Sequence, residues 1–197
     1  MNINKIQGKH IAFCALTCAL IIVGSKIQIP IFTVPITLQM PAVLLCVLIL
    51  PSFLSVATIG VYIYAGLMGL PFFAGGGGFA YALNPSFGYL IGFLLASIIV
   101  SILKAKGKCK NLVAMAFIVL LITHVTAVFY TYFISNAYLL NGLTFLNAIV
   151  YSSLVFLPTD IIWCFICSAV AKRILKAINM KLLLNFSPLF PLSYQAI

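Results

Sequence analysis

The sequence predicts an all-α membrane protein of six transmembrane helices with both termini in the cytoplasm. Three observations carry that prediction. Of 197 residues, 64% are hydrophobic and 6% charged, with a mean hydropathy of +1.26, whereas soluble domains carry roughly 25% charged residues. Apolar runs approaching the ~20 residues of a membrane helix recur along the chain. Eleven Lys and Arg stand against one acid, Asp160, a net charge of +10, and the basic residues gather in clusters, as cytoplasmic loops require.

The first span is Ile11 to Ile29. Lys5, Lys9 and His10 before it and Val23-Gly24-Ser25 within it imitate a signal peptide, but the rest of the chain is equally apolar, so a retained helix is expected. The tract from Thr37 to Phe73 is long enough for two spans, with Pro51-Ser52 as the breaker between them. A fourth span covers Phe87 to Leu103, a fifth Leu112 to Ile134 and a sixth Asn147 to Ala171. Three basic clusters punctuate this order: Lys5 and Lys9; Lys104, Lys106, Lys108 and Lys110; then Lys172, Arg173, Lys176 and Lys181. With all three in the cytoplasm, the spans between successive clusters must be even in number, and four and two satisfy this. Residues 1–10 then form a cytoplasmic N-terminus, 11–173 the membrane domain and 174–197 a cytoplasmic tail, whose Pro188 and Pro191 argue against a continuous helix. The loop 104–110 serves as a topology signal, and its charge also suits anionic lipid.

The opposite side of the membrane is built differently. Residues 29–39 carry Pro30 and Pro35 with polar Thr33, Thr37 and Gln39, which reads as an extended, ordered loop. Between spans three and four runs Gly69-Leu70-Pro71-Phe72-Phe73-Ala74-Gly75-Gly76-Gly77-Gly78-Phe79-Ala80-Tyr81, then Asn84-Pro85-Ser86-Phe87-Gly88-Tyr89. Four glycines admit positive φ and let a ligand reach backbone amides, or they form a flexible connector. The surrounding aromatic residues favour a pocket, since ligand sites are apolar and aromatic with few polar groups. No Gly-Lys-Ser or Gly-Lys-Thr follows, so this is no P-loop.

Asp160 lies in Leu157-Pro158-Thr159-Asp160-Ile161. A membrane aspartate normally faces a cavity and has a partner, which points to ligand contact; an N-cap for the sixth helix is the compatible alternative. One acid and two distant histidines leave no metal set, so no catalytic residue, metal or cofactor is expected, and no nucleic-acid partner. Cys164-x-x-Cys167 in an apolar helix reads as two small packing residues, and His124 as an interior histidine. Ala15-x-x-x-Ala19 with Ala12 forms a small-residue stripe on helix one, for internal packing or for docking another membrane subunit.

Val34-Pro35-Ile36-Thr37-Leu38-Gln39, the run Gly69 to Gly78, Gly88-Tyr89 with Gly92-Phe93, and Leu157-Pro158-Thr159-Asp160 together resemble the BioY family, the biotin-specific S components of energy-coupling factor (ECF) transporters. The resemblance implies the ECF S-component fold in the bacterial cytoplasmic membrane. It also implies biotin bound from outside, and partnership with a membrane T protein and two ATPase subunits that Ala15 and Ala19 would help to meet. Where the family usually has Pro-Gly-Asp followed by a lysine three residues on, this chain has Thr159 and Trp163; where it usually has Gly-Pro-Thr-Gly, it has Asn84-Pro85-Ser86-Phe87. The expected site comprises Asp160, Gln39, Thr37, Gly75, Gly76, Tyr81, Asn84, Tyr89 and Lys26. Asp160 would accept from a ureido N–H, and Gln39, Asn84 or a tyrosine hydroxyl would donate to the ureido carbonyl. Lys26, the one basic side chain on that side, or the glycine-loop amides would take the tail carboxylate. A biotin precursor or another small vitamin is the alternative ligand.

Overall fold

The computed structural model describes residues 8–29, 36–107 and 111–177. The readings placed on Lys5, Pro30, Pro35, Lys108, Lys110 and the tail beyond 177 lie outside the described residues.

Helix α1 (Gly8–Lys26) leads into a short antiparallel pair, β1 (Gln28–Ile29) with β2 (Ile36–Thr37). Helix α2 (Gln39–Ile49) carries no charged residue, and every position but Leu45 is buried. A helix apolar on all sides belongs at the centre of a bundle, and α2 accordingly contacts α1 and the later helices α3 (Ser52–Leu67), α4 (Phe87–Ala105), α5 (Leu112–Ala137) and α7 (Leu157–Ala177). The chain leaves α2 at Leu50, which is extended (φ −73°, ψ 148°), because the residue before a proline is pushed out of the helical region. Pro51 then precedes α3 (Ser52–Leu67), so the reversal falls where proline and serine place it.

A loop and a 3₁₀ turn (Phe79–Leu83) connect to α4 (Phe87–Ala105), followed by α5 (Leu112–Ala137). Asn111 caps α5, its side chain accepting from the Val113 N–H at 2.9 Å. The α4–α5 pairing is the most extensive in the molecule. Glycines permit it: a Cβ at Gly88 would lie 2.6 Å from Tyr130 Cβ, and one at Gly92 2.8 Å from Thr123 Cα. The final segment comprises α6 (Phe145–Ile149), a π-helical turn (Val150–Leu154) and α7 (Leu157–Ala177).

Three segments are long and apolar enough to cross a membrane: Phe87–Ala105, Leu112–Ala137 and Phe145–Ala177. The other three, His10–Lys26, Gln39–Ile49 and Ser52–Leu67, are shorter apolar helices.

The structure refines the reading of Lys104 and corrects the capping alternative for Asp160. Lys104, read from the sequence as part of a topology cluster, is 2% exposed. Its ammonium donates to the carbonyl of Val47 and, at 3.4 and 3.3 Å, to those of Leu48 and Leu50. These groups lack intrahelical partners where α2 ends, and a cation there also complements the helix dipole. Asp160 is not an N-cap. It sits in the first turn of α7 with its N–H on Phe156 O at 3.0 Å, while its side chain turns toward α5.

Candidate functional site

The loop after α3 is built around one aromatic ring. Phe73 is 1% exposed and the tip of its ring presses on Gly66, where a Cβ would come within 2.2 Å of its Cζ. Phe73 and Gly76 exchange backbone hydrogen bonds at 2.8 and 3.1 Å, closing a tight turn, and the Gly78 N–H donates to Gly66 O at 2.7 Å. Gly76 (φ +121°) and Gly78 (φ +97°) occupy backbone regions that L side chains rarely adopt. Backbone conformation therefore demands glycine at 76 and 78, and space demands it at 77, where a Cβ would lie 2.1 Å from Leu70 O.

Three successive carbonyls of this loop are held by side chains from elsewhere. Phe72 O receives the Ser25 hydroxyl at 2.6 Å and the Tyr62 hydroxyl at 3.2 Å. Phe73 O receives the Lys26 ammonium at 2.6 Å, and Ala74 O the Gln28 amide at 3.2 Å. Tyr62, 1% exposed, accepts in turn from Gln39 Nε2 at 3.0 Å. These bonds fix the loop against the end of α1 and the start of α2.

Beneath the loop lies a cavity whose empty space, counted out into the open solvent at its mouth, is about 510 Å³. Thr37, Gln39, Met40, Ala74, Tyr81, Ser86, Tyr89, Leu90, Phe93, Phe156 and Asp160 line it. Its wall is mostly apolar and aromatic, and its polar groups are few. Tyr81 and Ser86 hydroxyls lie 2.9 Å apart, and Ser86 donates through both its N–H and its hydroxyl to Asn84 Oδ1 at 3.0 and 2.7 Å. The Tyr89 hydroxyl donates to Ser152 O in the π-helical turn, so Tyr89 presents its ring to the cavity. Phe156 stands edge-on to that ring at 5.9 Å.

Asp160 is the acidic side chain of the wall. Its Oδ2 lies 3.1 Å from Nε2 of His124 on α5, both side chains nearly buried. Among the described residues no group of three or more His, Cys, Asp or Glu could hold a metal ion. Cys164 and Cys167 are buried free thiols, with Cys167 Sγ on Pro41 O at 3.6 Å.

Of the residues singled out from the sequence, Thr37, Gln39, Tyr81, Tyr89 and Asp160 meet at the cavity. Asn84 stands behind Ser86. Gly75 and Gly76 shape the loop without lining the cavity, and Lys26 is tied to Phe73 O beside cavity-lining Ala74. Trp163 is half-buried against the core, away from the cavity wall. Ala15 and Ala19 lie on the exposed side of α1 with Ile11, Leu16, Leu20 and Val23. Sequence reasoning missed Ser86, Phe156 and, above all, His124. The available signal for His124 was the cost of polar groups in apolar helices: two isolated ionisable groups in different spans have each other as the cheapest partner.

The BioY family model matches residues 1–180. A probable biotin transporter BioY of Lysinibacillus sphaericus is 39% identical over 128 residues, covering 64% of this chain and 65% of that one. A probable biotin transporter BioY of Pyrococcus horikoshii is 31% identical over 170 residues, 86% of this chain and 98% of the relative. A solved structure, the S component for biotin from an ECF-type ABC transporter, matches with a TM-score of 0.74 at 27% identity, covering 89% of this chain and 95% of that one.

Proposed function

The chain belongs to the BioY family, and from that premise we propose that it is a biotin-binding S component that mediates biotin uptake, energised by a separate ECF module. The observation that carries the reading to these residues is the cavity itself: one carboxylate in an apolar and aromatic wall, under an ordered loop.

Biotin offers two ureido N–H donors, one ureido carbonyl, an apolar thiophane edge and an acid tail. Asp160 Oδ1 accepts from a ureido N–H, since Oδ2 is engaged by His124. The ureido carbonyl needs a donor, and hydrogen bookkeeping favours Gln39. The Tyr81 hydroxyl has Ser86 beside it, Ser86 donates to Asn84, and the Tyr89 hydroxyl donates to Ser152 O. Gln39 Nε2 spends one hydrogen on Tyr62 and keeps a second. Met40, Leu90, Phe93 and Phe156 cover the thiophane. Lys26 retains two ammonium hydrogens for the tail carboxylate after serving Phe73 O.

The six helices span a bacterial cytoplasmic membrane with the basic clusters and both termini inside, which sets the cavity toward the exterior. The chain performs recognition and no chemistry. A membrane T protein docks on the exposed face of α1, where Ala15 and Ala19 allow close helix approach, and two ATPase subunits supply the energy. Thermal stabilisation of the detergent-purified protein by biotin, desthiobiotin, thiamine and riboflavin tests the ligand. Biotin should give the largest shift; no shift with any of them overturns the reading, and a larger shift with desthiobiotin reassigns the ligand to a precursor. Ala19→Leu should lower cellular biotin uptake at least tenfold with biotin affinity unchanged, and normal uptake would remove α1 from the docking surface.

A further inference from the structure

The buried imidazole of His124 has no part in lining the cavity, yet its Nε2 meets the single acidic side chain of the protein. Asp160 and His124 are contributed by α7 and α5, and neither forms another salt bridge among the described residues. The imidazole is held on its flank by Tyr89, edge-on at 6.0 Å and 76°. The Tyr89 hydroxyl is itself anchored on Ser152 O. The height of the imidazole along α5 is set by the close approach of Thr123 to Gly92. The ring therefore has little freedom to turn away.

The hydrogen bonds also favour one tautomer of the imidazole. His124 Nδ1 is buried with no hydrogen-bond partner, so a proton there would be a buried donor without an acceptor, a costly arrangement. The satisfied arrangement has Nε2–H donating to Asp160 Oδ2. The second carboxylate oxygen, Oδ1, has no hydrogen-bond partner among the described residues, and the carboxylate lines the cavity.

We propose that His124 is a positioning residue: through Nε2–H it holds the Asp160 carboxylate with Oδ1 turned to the cavity, and so makes the site selective for ligands that present N–H donors. It acts through Asp160 and needs no contact with ligand. The biotin assay of this proposal rests on the functional reading above, and the spectroscopic assay does not.

The test compares His124→Gln, whose amide nitrogen can replace Nε2 as donor, with His124→Leu, which cannot donate. In biotin titrations of purified protein, His124→Gln should bind within threefold of wild type and His124→Leu at least thirtyfold more weakly. The double variant His124→Leu with Asp160→Asn should bind no more weakly than Asp160→Asn alone, because one residue acts through the other. Equal losses in the Gln and Leu variants, or additive losses in the double variant, overturn the proposal. Because the chain has one acidic side chain, [4-¹³C]aspartate labelling reports on it directly by infrared spectroscopy, with no ligand present. The carboxylate stretch should shift in His124→Leu and stay in place in His124→Gln. Identical spectra in all three proteins overturn positioning even if biotin binds. If the wild type binds no biotin, the transport reading falls while the infrared comparison still decides the role of His124.

Discussion

Two ends of the bundle each spend a lysine ammonium on backbone carbonyls, and they use it differently. At the α2–α3 corner, Lys104 is buried and serves Val47, Leu48 and Leu50 at once. At the glycine-loop end, exposed Lys26 serves Phe73 alone, beside separate single ties from Ser25, Tyr62 and Gln28 to the neighbouring carbonyls. One cation satisfying three carbonyls out of water makes a joint that cannot be opened stepwise. Several single bonds around a cavity mouth can be exchanged one at a time. The contrast predicts that substitutions at the corner lower stability and those around the cavity lower ligand binding.

The largest effect is expected at the corner. Lys104→Met keeps the stem's packing but leaves buried carbonyls unsatisfied, at about 3 kcal/mol. Thermal unfolding in detergent should fall sharply, while the protein that remains folded binds biotin with unchanged affinity. A stable Lys104→Met variant would erase the contrast between the ends. At the cavity, Asp160→Asn should show the converse. Losing a charged acceptor costs about 2–3 kcal/mol in binding, roughly a hundredfold in affinity, with ligand-free unfolding little altered because the Asn carbonyl still accepts from His124. Gly66→Ala comes next. Its Cβ would press on the Phe73 ring and displace the loop, an overpacking cost of about 1–3 kcal/mol. Biotin should dissociate faster as a result; unchanged kinetics would mean that the loop does not control the cavity mouth.

Much of this contrast was legible in the sequence, and the rest was not for identifiable reasons. The corner was readable because Pro51 acts locally, and α2 because a helix with no polar face has nowhere to go but the centre. The loop was recognisable by its glycines, but their purpose was not, since it depends on Phe73 folding back over Gly66 seven residues earlier. Lys104 could not be distinguished from its neighbours Lys106, Lys108 and Lys110 by composition. Only its position at the end of α4, against the end of α2, turns it inward. The His124–Asp160 pair depends on the rotation of two helices 36 residues apart in the chain, which hydropathy does not encode.

The smallest expected effect divides the two roles of Lys26. As a tie to Phe73 O its ammonium is exposed, and exposed charged contacts contribute little, so Lys26→Met should leave ligand-free unfolding nearly unchanged. Its effect on binding separates the tie from the anchor. If the ammonium only ties the loop, biotin and biotin methyl ester should lose the same few-fold affinity, because the loop touches both alike. If it also anchors the tail, the loss should be confined to the acid, at about tenfold, since only a carboxylate gains a charge-assisted hydrogen bond. An equal loss for acid and ester would therefore return the tail to the glycine-loop amides and leave Lys26 as the exposed counterpart of Lys104: the same ammonium-to-carbonyl bond, made once where Lys104 makes it three times.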